Sequence, residues 1–203
     1  MTHSATSRDA RRATTAHRIT ASAQRLADER GLEGFTLEDL AEAAAVSRRT
    51  LFNYVPGKLD AVLGPVPVPP AEPLDTFRAG GPHHDLVEDL AVLAHPMLAG
   101  EAVGRDEIAR QRRLLRANPR LLAAAHERFE LLSARLVSEI LLREGPAFDA
   151  HRARVAVRVL VAMFDVALDA FLTEPGEQEL ADLFTDSLRT ARELLARQPT
   201  GCN

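Results

Sequence analysis

Two helix caps, Thr36 and Ser47, stand close together in this sequence and leave room for only about two turns of helix between them. Asp39 follows Thr36 at the spacing of a capping box: the hydroxyl takes the backbone N–H of Asp39 and the carboxylate reaches back. Ser47 opens another short helix over 48–54, and Pro56 suits the first position of a fourth, running to about Leu63. Upstream, Ile19, Ala23, Leu26 and Ala27 recur at helical spacing from a start at Thr14 or Thr15, with Gly31 as the stop. Helices of two turns are marginal alone, so these pieces must be packed on one another. The pattern predicts a small helical domain over 14–63.

Its second and third helices meet at Ala45-Val46-Ser47, the sequence shape of a helix-turn-helix. The run LAEAAAV is small enough for the third helix to cross closely, and Val46 supplies an apolar plug. A helix that enters a major groove must be polar on its outer face. Ser47, Arg48, Arg49, Thr50 and Asn53 provide that face, with Leu51 and Phe52 as inward anchors. Arg48 or Arg49 can fork onto guanine, and Asn53 can read adenine or bond a phosphate. Thr50 suits a phosphate or a thymine methyl. Tyr54, Lys58 and the capped Thr36 are candidates for the DNA backbone. Residues 1–13, with Arg8, Arg11 and Arg12, are expected to be a flexible basic arm reaching the minor groove or backbone.

Residues 17–63 resemble the DNA-binding domain of the TetR family of bacterial regulators. The resemblance is carried by Glu29-Arg30-Gly31, Phe35-Thr36, Leu40-Ala41, Val46-Ser47, Thr50-Leu51-Phe52, Tyr54, Lys58 and Leu63. Three positions depart from the family pattern: Ala45 stands where Gly is frequent, Val55 where an aromatic is usual, and Gly57 where a polar residue is common. Ala45 implies a turn with no left-handed residue. The fourth helix, often a continuous link to the ligand domain in the family, is expected to stop near Leu63.

The stop is GPVPVPPAEP, residues 64–73, whose five prolines are expected to form a linker outside any helix. Residues 74–203 then read as helix after helix. Leu86, Leu90, Leu93 and Met97 mark one, kinked at Pro96; a basic helix covers 105–117; Asn118-Pro119 restarts the chain into a long amphipathic helix ended by Gly145-Pro146. Residues 149–173 are apolar almost all round, and about 177–197 form the last helix. Leu93, His95, Met97, Arg113, Phe129, Met163 and Phe164 are candidate lining for an apolar cavity.

Charge sharpens the division. The formal net charge is −4, yet residues 1–63 carry nine Arg or Lys against eight Asp or Glu. No apolar run reaches the roughly 18 residues a membrane span needs, and the single cysteine, Cys202, makes no internal disulfide. A cytoplasmic location is expected, with no membrane partner. No catalytic triad, nucleotide loop or metal set stands out, so neither an enzyme nor a cofactor is expected.

The expected fold is therefore all-α: an N-terminal three-helix helix-turn-helix domain, then a larger helical ligand-binding and dimerisation domain. The resemblance implies a regulator, a repressor in the first instance, released from a double-stranded DNA operator by a small-molecule effector. It implies a homodimer through helices about 149–173 and 177–197 and a pseudo-palindromic operator. A transcriptional activator of the same fold, or a helical interaction module without an operator, are the alternatives.

Overall fold

The computed structural model describes residues 3–66, 68–98, 104–174, 176 and 178–196, with side chains from residue 11 onward. Every regular element among them is an α-helix: α1 His3–Arg30, α2 Leu37–Ala43, α3 Arg48–Phe52, α4 Lys58–Leu63, α5 Ala71–Arg78, α6 Leu86–Leu98, α7 Arg105–Ala117, α8 Pro119–Glu144, α9 Ala150–Thr173 and α10 Leu180–Ala196. The chain divides into two compact units, residues 1–66 with 102–129, and residues 67–101 with 130–203.

In the first unit, Ile19, Ala23, Leu26 and Ala27 of α1 pack against Leu40, Ala41 and Ala44 of α2, Leu51 of α3, and Ala61 and Val62 of α4. Buried polar groups register the pieces. Ser22 Oγ donates to Ala43 O at 3.3 Å, and Gln24 Nε2 to Val62 O at 3.1 Å. Leu114 of α7 and Leu121 of α8 complete this core, although the sequence had grouped both with the C-terminal helices. Helical periodicity shows which face of α7 and α8 is apolar, not which neighbour covers it.

Three expectations about element ends need correction. The arm expected over 1–13 is helical from His3. No Gly or Pro interrupts residues 3–30, so nothing there stops the helix from extending. At the other end Gly31 (φ 73) closes α1 as expected. Pro56 lies ahead of α4 rather than in its first turn: Gly57 is the N-cap and Lys58 the first helical residue. Residues 64–73 are not wholly outside helix either. Ala71–Arg78 form α5, and Pro73 sits in its first turn, where a missing N–H costs no helical bond.

One turn conformation also differs. Ala45 has φ 50, in the left-handed region, so the turn does require such a residue and an alanine supplies it. Val46 N–H donates to Ala41 O and Ala45 N–H to Glu42 O, the paired bonds of a Schellman motif. Val46 then packs on the core as the motif's apolar residue.

In the second unit α9 packs along α10, and α6 lies against α10 and α5. Phe77, Leu90, Leu93, Ile140, Val157, Phe184 and Leu188 are buried. Asp89 is buried with them. It pairs with Arg143, itself only 4% exposed, and accepts from His83 N–H at 2.7 Å. Arg143 also donates to Gly80 O and lies over the Phe77 ring. This buried pair joins α6 and α8 to the segment after α5.

Candidate DNA-binding surface

The site is built on two caps and a turn. Thr36 Oγ1 accepts from Asp39 N–H at 3.1 Å, while Asp39 Oδ2 accepts from Thr36 N–H at 2.7 Å and from its hydroxyl at 2.8 Å. These bonds, first the backbone one and then the hydroxyl, hold the Asp39 carboxyl below its ordinary range. The Thr36 hydroxyl proton is thereby committed to Asp39, which makes Thr36 the anchor of α2 rather than a free donor for phosphate.

The start of α3 is arranged the same way. Ser47 Oγ accepts from Thr50 N–H at 3.0 Å and lies 2.7 Å from Thr50 Oγ1. Two hydroxyls in contact share one proton between them, so one of the pair keeps a proton to offer outward. Leu51 points into the core, while Phe52, expected as a second anchor, is 46% exposed.

The two arginines of α3 are not equivalent. Arg48 reaches back to Glu38 of α2 at 2.8 Å and lies over the Phe52 ring. Arg49 is exposed and has no ion pair among the described residues. Asn53, at the C-cap, is exposed too. The outer face therefore presents Arg49, Asn53 and one hydroxyl of the Ser47–Thr50 pair without internal competitors.

Lys58 is more occupied than its charge suggests. Its Nζ donates to Leu32 O at 2.6 Å and Phe35 O at 3.0 Å and sits over the Phe35 ring. Two of its three ammonium protons thus tie down the loop between α1 and α2. Tyr54 is half-buried, packs on the core, and carries the Arg12 guanidinium over its ring at 5.4 Å. Sequence reasoning put Arg12 in a flexible arm and so missed this contact.

At the far end of α4, Arg128 of α8 pairs with Asp60 and donates to Gly64 O at 2.7 Å. A side chain at Gly64 (φ 75) would be strained in the left-handed region and crowded, its Cβ 3.1 Å from the Thr20 side chain. A cavity of about 210 Å³ opens beside this contact, lined by Ala16, Thr20, Tyr54 and Arg128 among others.

The expected ligand-cavity residues fall in both units. Arg113 is in the first unit, exposed and paired with Asp28 at 3.3 Å, and Phe129 is half-buried in that same unit. An arginine chosen to face inward is thus an outward ion-pair partner, because its carboxylate lies on α1. In the second unit Leu93 is buried, Met97, Met163 and Phe164 are half-buried, and His95 is exposed. None of the seven lines the cavity of about 340 Å³ found there, whose walls include Val87, Val155, Val159, Leu188 and Leu195. No group of three His, Cys, Asp or Glu among the described residues could hold a metal ion, and no described helix is long and apolar enough to cross a membrane.

A capped short helix, a Schellman turn and a polar-faced helix locked to a three-helix core define a helix-turn-helix DNA-binding domain. Comparison with known proteins shows which domains it is similar to. Residues 19–60 match the family model described as bacterial regulatory proteins, tetR family. No curated protein matches the chain. Among solved structures it is similar to a TetR-family transcriptional regulator from Mesorhizobium loti, at 19% identity over 91% of this chain and 96% of that one, with a TM-score of 0.52. It is also similar to Thermus thermophilus FadR, a TetR-family repressor solved with lauroyl-CoA, at 25% identity over 93% and 99% of the two chains, with a TM-score of 0.49. Residues 19–60 thus form a DNA-binding domain of the tetR type, and the chain as a whole shares its fold with the Mesorhizobium loti structure.

Proposed function

We propose that the protein is a ligand-responsive repressor that binds a pseudo-palindromic operator as a two-fold dimer. The observation that carries this is the outer face of α3, where Arg49 stands exposed, without an ion-pair partner among the described residues, at the head of a short capped helix. Arg49 takes the guanine contact, because Arg48 is drawn to Glu38. Thr50 or Ser47 and Asn53 add contacts to bases or phosphates, and Tyr54 presents its hydroxyl to the backbone. Lys58, whose Nζ also lies 3.9 Å from the exposed Glu33 carboxylate, turns its third proton to a phosphate.

Dimerisation is assigned to α9 and α10. Val155 and Val166 of α9 and Leu194 and Leu195 of α10 are exposed, apolar surface that a second copy would cover. A two-fold pair would set two α3 helices about one DNA turn apart, hence the pseudo-palindrome. The effector is a small apolar or amphipathic molecule. Met97, Met163 and Phe164, half-buried in the second unit, are the side chains we assign to it. It must bind the DNA-free arrangement more tightly than the bound one, since equal affinity shifts nothing.

The test is a gel shift on the DNA upstream of its own gene, at two salt concentrations, with Arg49→Ala beside the wild type. A shifted complex that survives unrelated competitor DNA, and is weakened by Arg49→Ala, is the expected result. Equal, weak binding of every sequence by both proteins would remove the reading.

A further inference from the structure

The first turns of α1 carry a group that the operator reading does not use. The Arg12 guanidinium lies 5.4 Å from the centroid of the Tyr54 ring, and Tyr54 directly follows Asn53, the C-cap of α3. The contact belongs to a continuous packed face. Ala16 and Thr20, one and two turns further along α1, line a cavity together with Tyr54, Val55 and Pro56. The face of α1 that builds the domain therefore runs on past it to Arg12.

Two features suit this pair to an anion. A guanidinium stacked on a ring uses its flat face and leaves its edge N–H groups pointing outward, and the stack limits the freedom it must give up on binding. Tyr54 is half-buried and packed on the core, so its position is fixed by the domain. Arg12 is exposed and has no carboxylate partner among the described residues, whereas Arg48 is held by Glu38 and Arg128 by Asp60. Exposed Arg11 and Arg18 on the same helix add positive charge nearby.

We propose that Arg12 and Tyr54 form one composite phosphate seat, by which the helical extension of α1 grips the DNA backbone beside α3. It rests on the operator reading. The partner is duplex DNA because the seat adjoins the end of the α3 outer face. The contact is to phosphate, since a guanidinium held on a ring at a helix flank cannot follow base edges. Arg12 thus adds affinity and register without adding sequence preference.

The test is operator affinity from about 50 to 200 mM salt for the wild type, Arg12→Ala and Arg12→Lys. Each phosphate contact contributes about −0.9 to the slope of log K against log salt. Arg12→Ala should flatten the slope by about that amount and weaken binding about 3- to 10-fold at 50 mM, for the operator and unrelated DNA alike. Arg12→Lys keeps the charge and should keep most of the slope. In a Tyr54→Leu background, removing Arg12 should matter less, because the seat is already gone. If the wild type prefers its operator while Arg12→Ala keeps the wild-type slope, the seat is overturned and the operator reading stands. A change confined to particular base pairs flanking the half-site overturns the phosphate assignment. A wild type without operator preference overturns the regulator reading itself.

Discussion

Replacing Ala45 by glycine should make this protein more stable, against the usual sign for a glycine introduced beside a helix. Ala45 holds φ 50 at the turn between α2 and α3, and its methyl group is exposed. Removing that methyl therefore sacrifices little packing. A non-glycine residue in the left-handed region costs about 1–2 kcal/mol. Glycine gives back part of the gain, about 0.5–1 kcal/mol, through its greater freedom in the unfolded chain. The net is a stabilisation of about 0.5–1 kcal/mol. Urea unfolding followed by far-ultraviolet circular dichroism measures it, as a midpoint raised by a few tenths molar at unchanged slope. Glu42→Gly is the control. It lies exposed inside α2, where glycine should cost about 1 kcal/mol. If Ala45→Gly destabilises as Glu42→Gly does, the left-handed turn is not the strained element and the reasoning fails.

Three further outcomes follow from contacts described above. Asp39→Asn should weaken the protein at neutral pH and make no difference in strong acid. The Asp39 carboxyl is held below the ordinary carboxylate range, chiefly by the Thr36 backbone N–H, so its contribution is present above that range and lost as pH falls through the lower folded pKa; urea midpoints of both proteins at several pH values read this directly. Asp89→Ala strands the Arg143 charge in the second unit and should cost about 3–5 kcal/mol, seen as a large drop in the thermal or urea midpoint. Leu121→Ala should cost about 2–5 kcal/mol and lower DNA affinity when the protein is partly unfolded, because that side chain is fully buried in the core of the DNA-binding unit.

Local signals were the legible ones. The caps at Thr36 and Ser47, and the stops at Gly31 and Gly145, are read from one or two residues whose chemistry acts on the adjacent backbone. The same local reading misjudged Ala45, because residue type suggests but does not fix a backbone angle that α2 and α3 must satisfy together. It misjudged Pro73, because a proline is a breaker only where a helical N–H is needed. It ended the arm too late, because a run without Gly or Pro carries no mark of where a helix begins. In the site, the residues of the outer face were identifiable from polarity and spacing. Which of them keep free donors was not. That Arg48 answers to Glu38, Lys58 to two carbonyls and Arg12 to Tyr54 depends on how the helices cross, and no single helix encodes a crossing.

The core of the DNA-binding unit has a timetable. Its first segment ends at residue 66, but Leu114 and Leu121 are supplied by a second segment. During synthesis the recognition helix leaves the ribosome well before the side chains that close the core beneath it. At about 5–20 residues per second, the interval to Leu121 is on the order of 3–12 s. Over that time the nascent head has its caps and its turn but an open apolar face. A chain cut after Leu63 would be stalled permanently at that stage, and should populate a loose, DNA-incompetent state. DNA binding should accordingly wait until α7 and the start of α8 have been made.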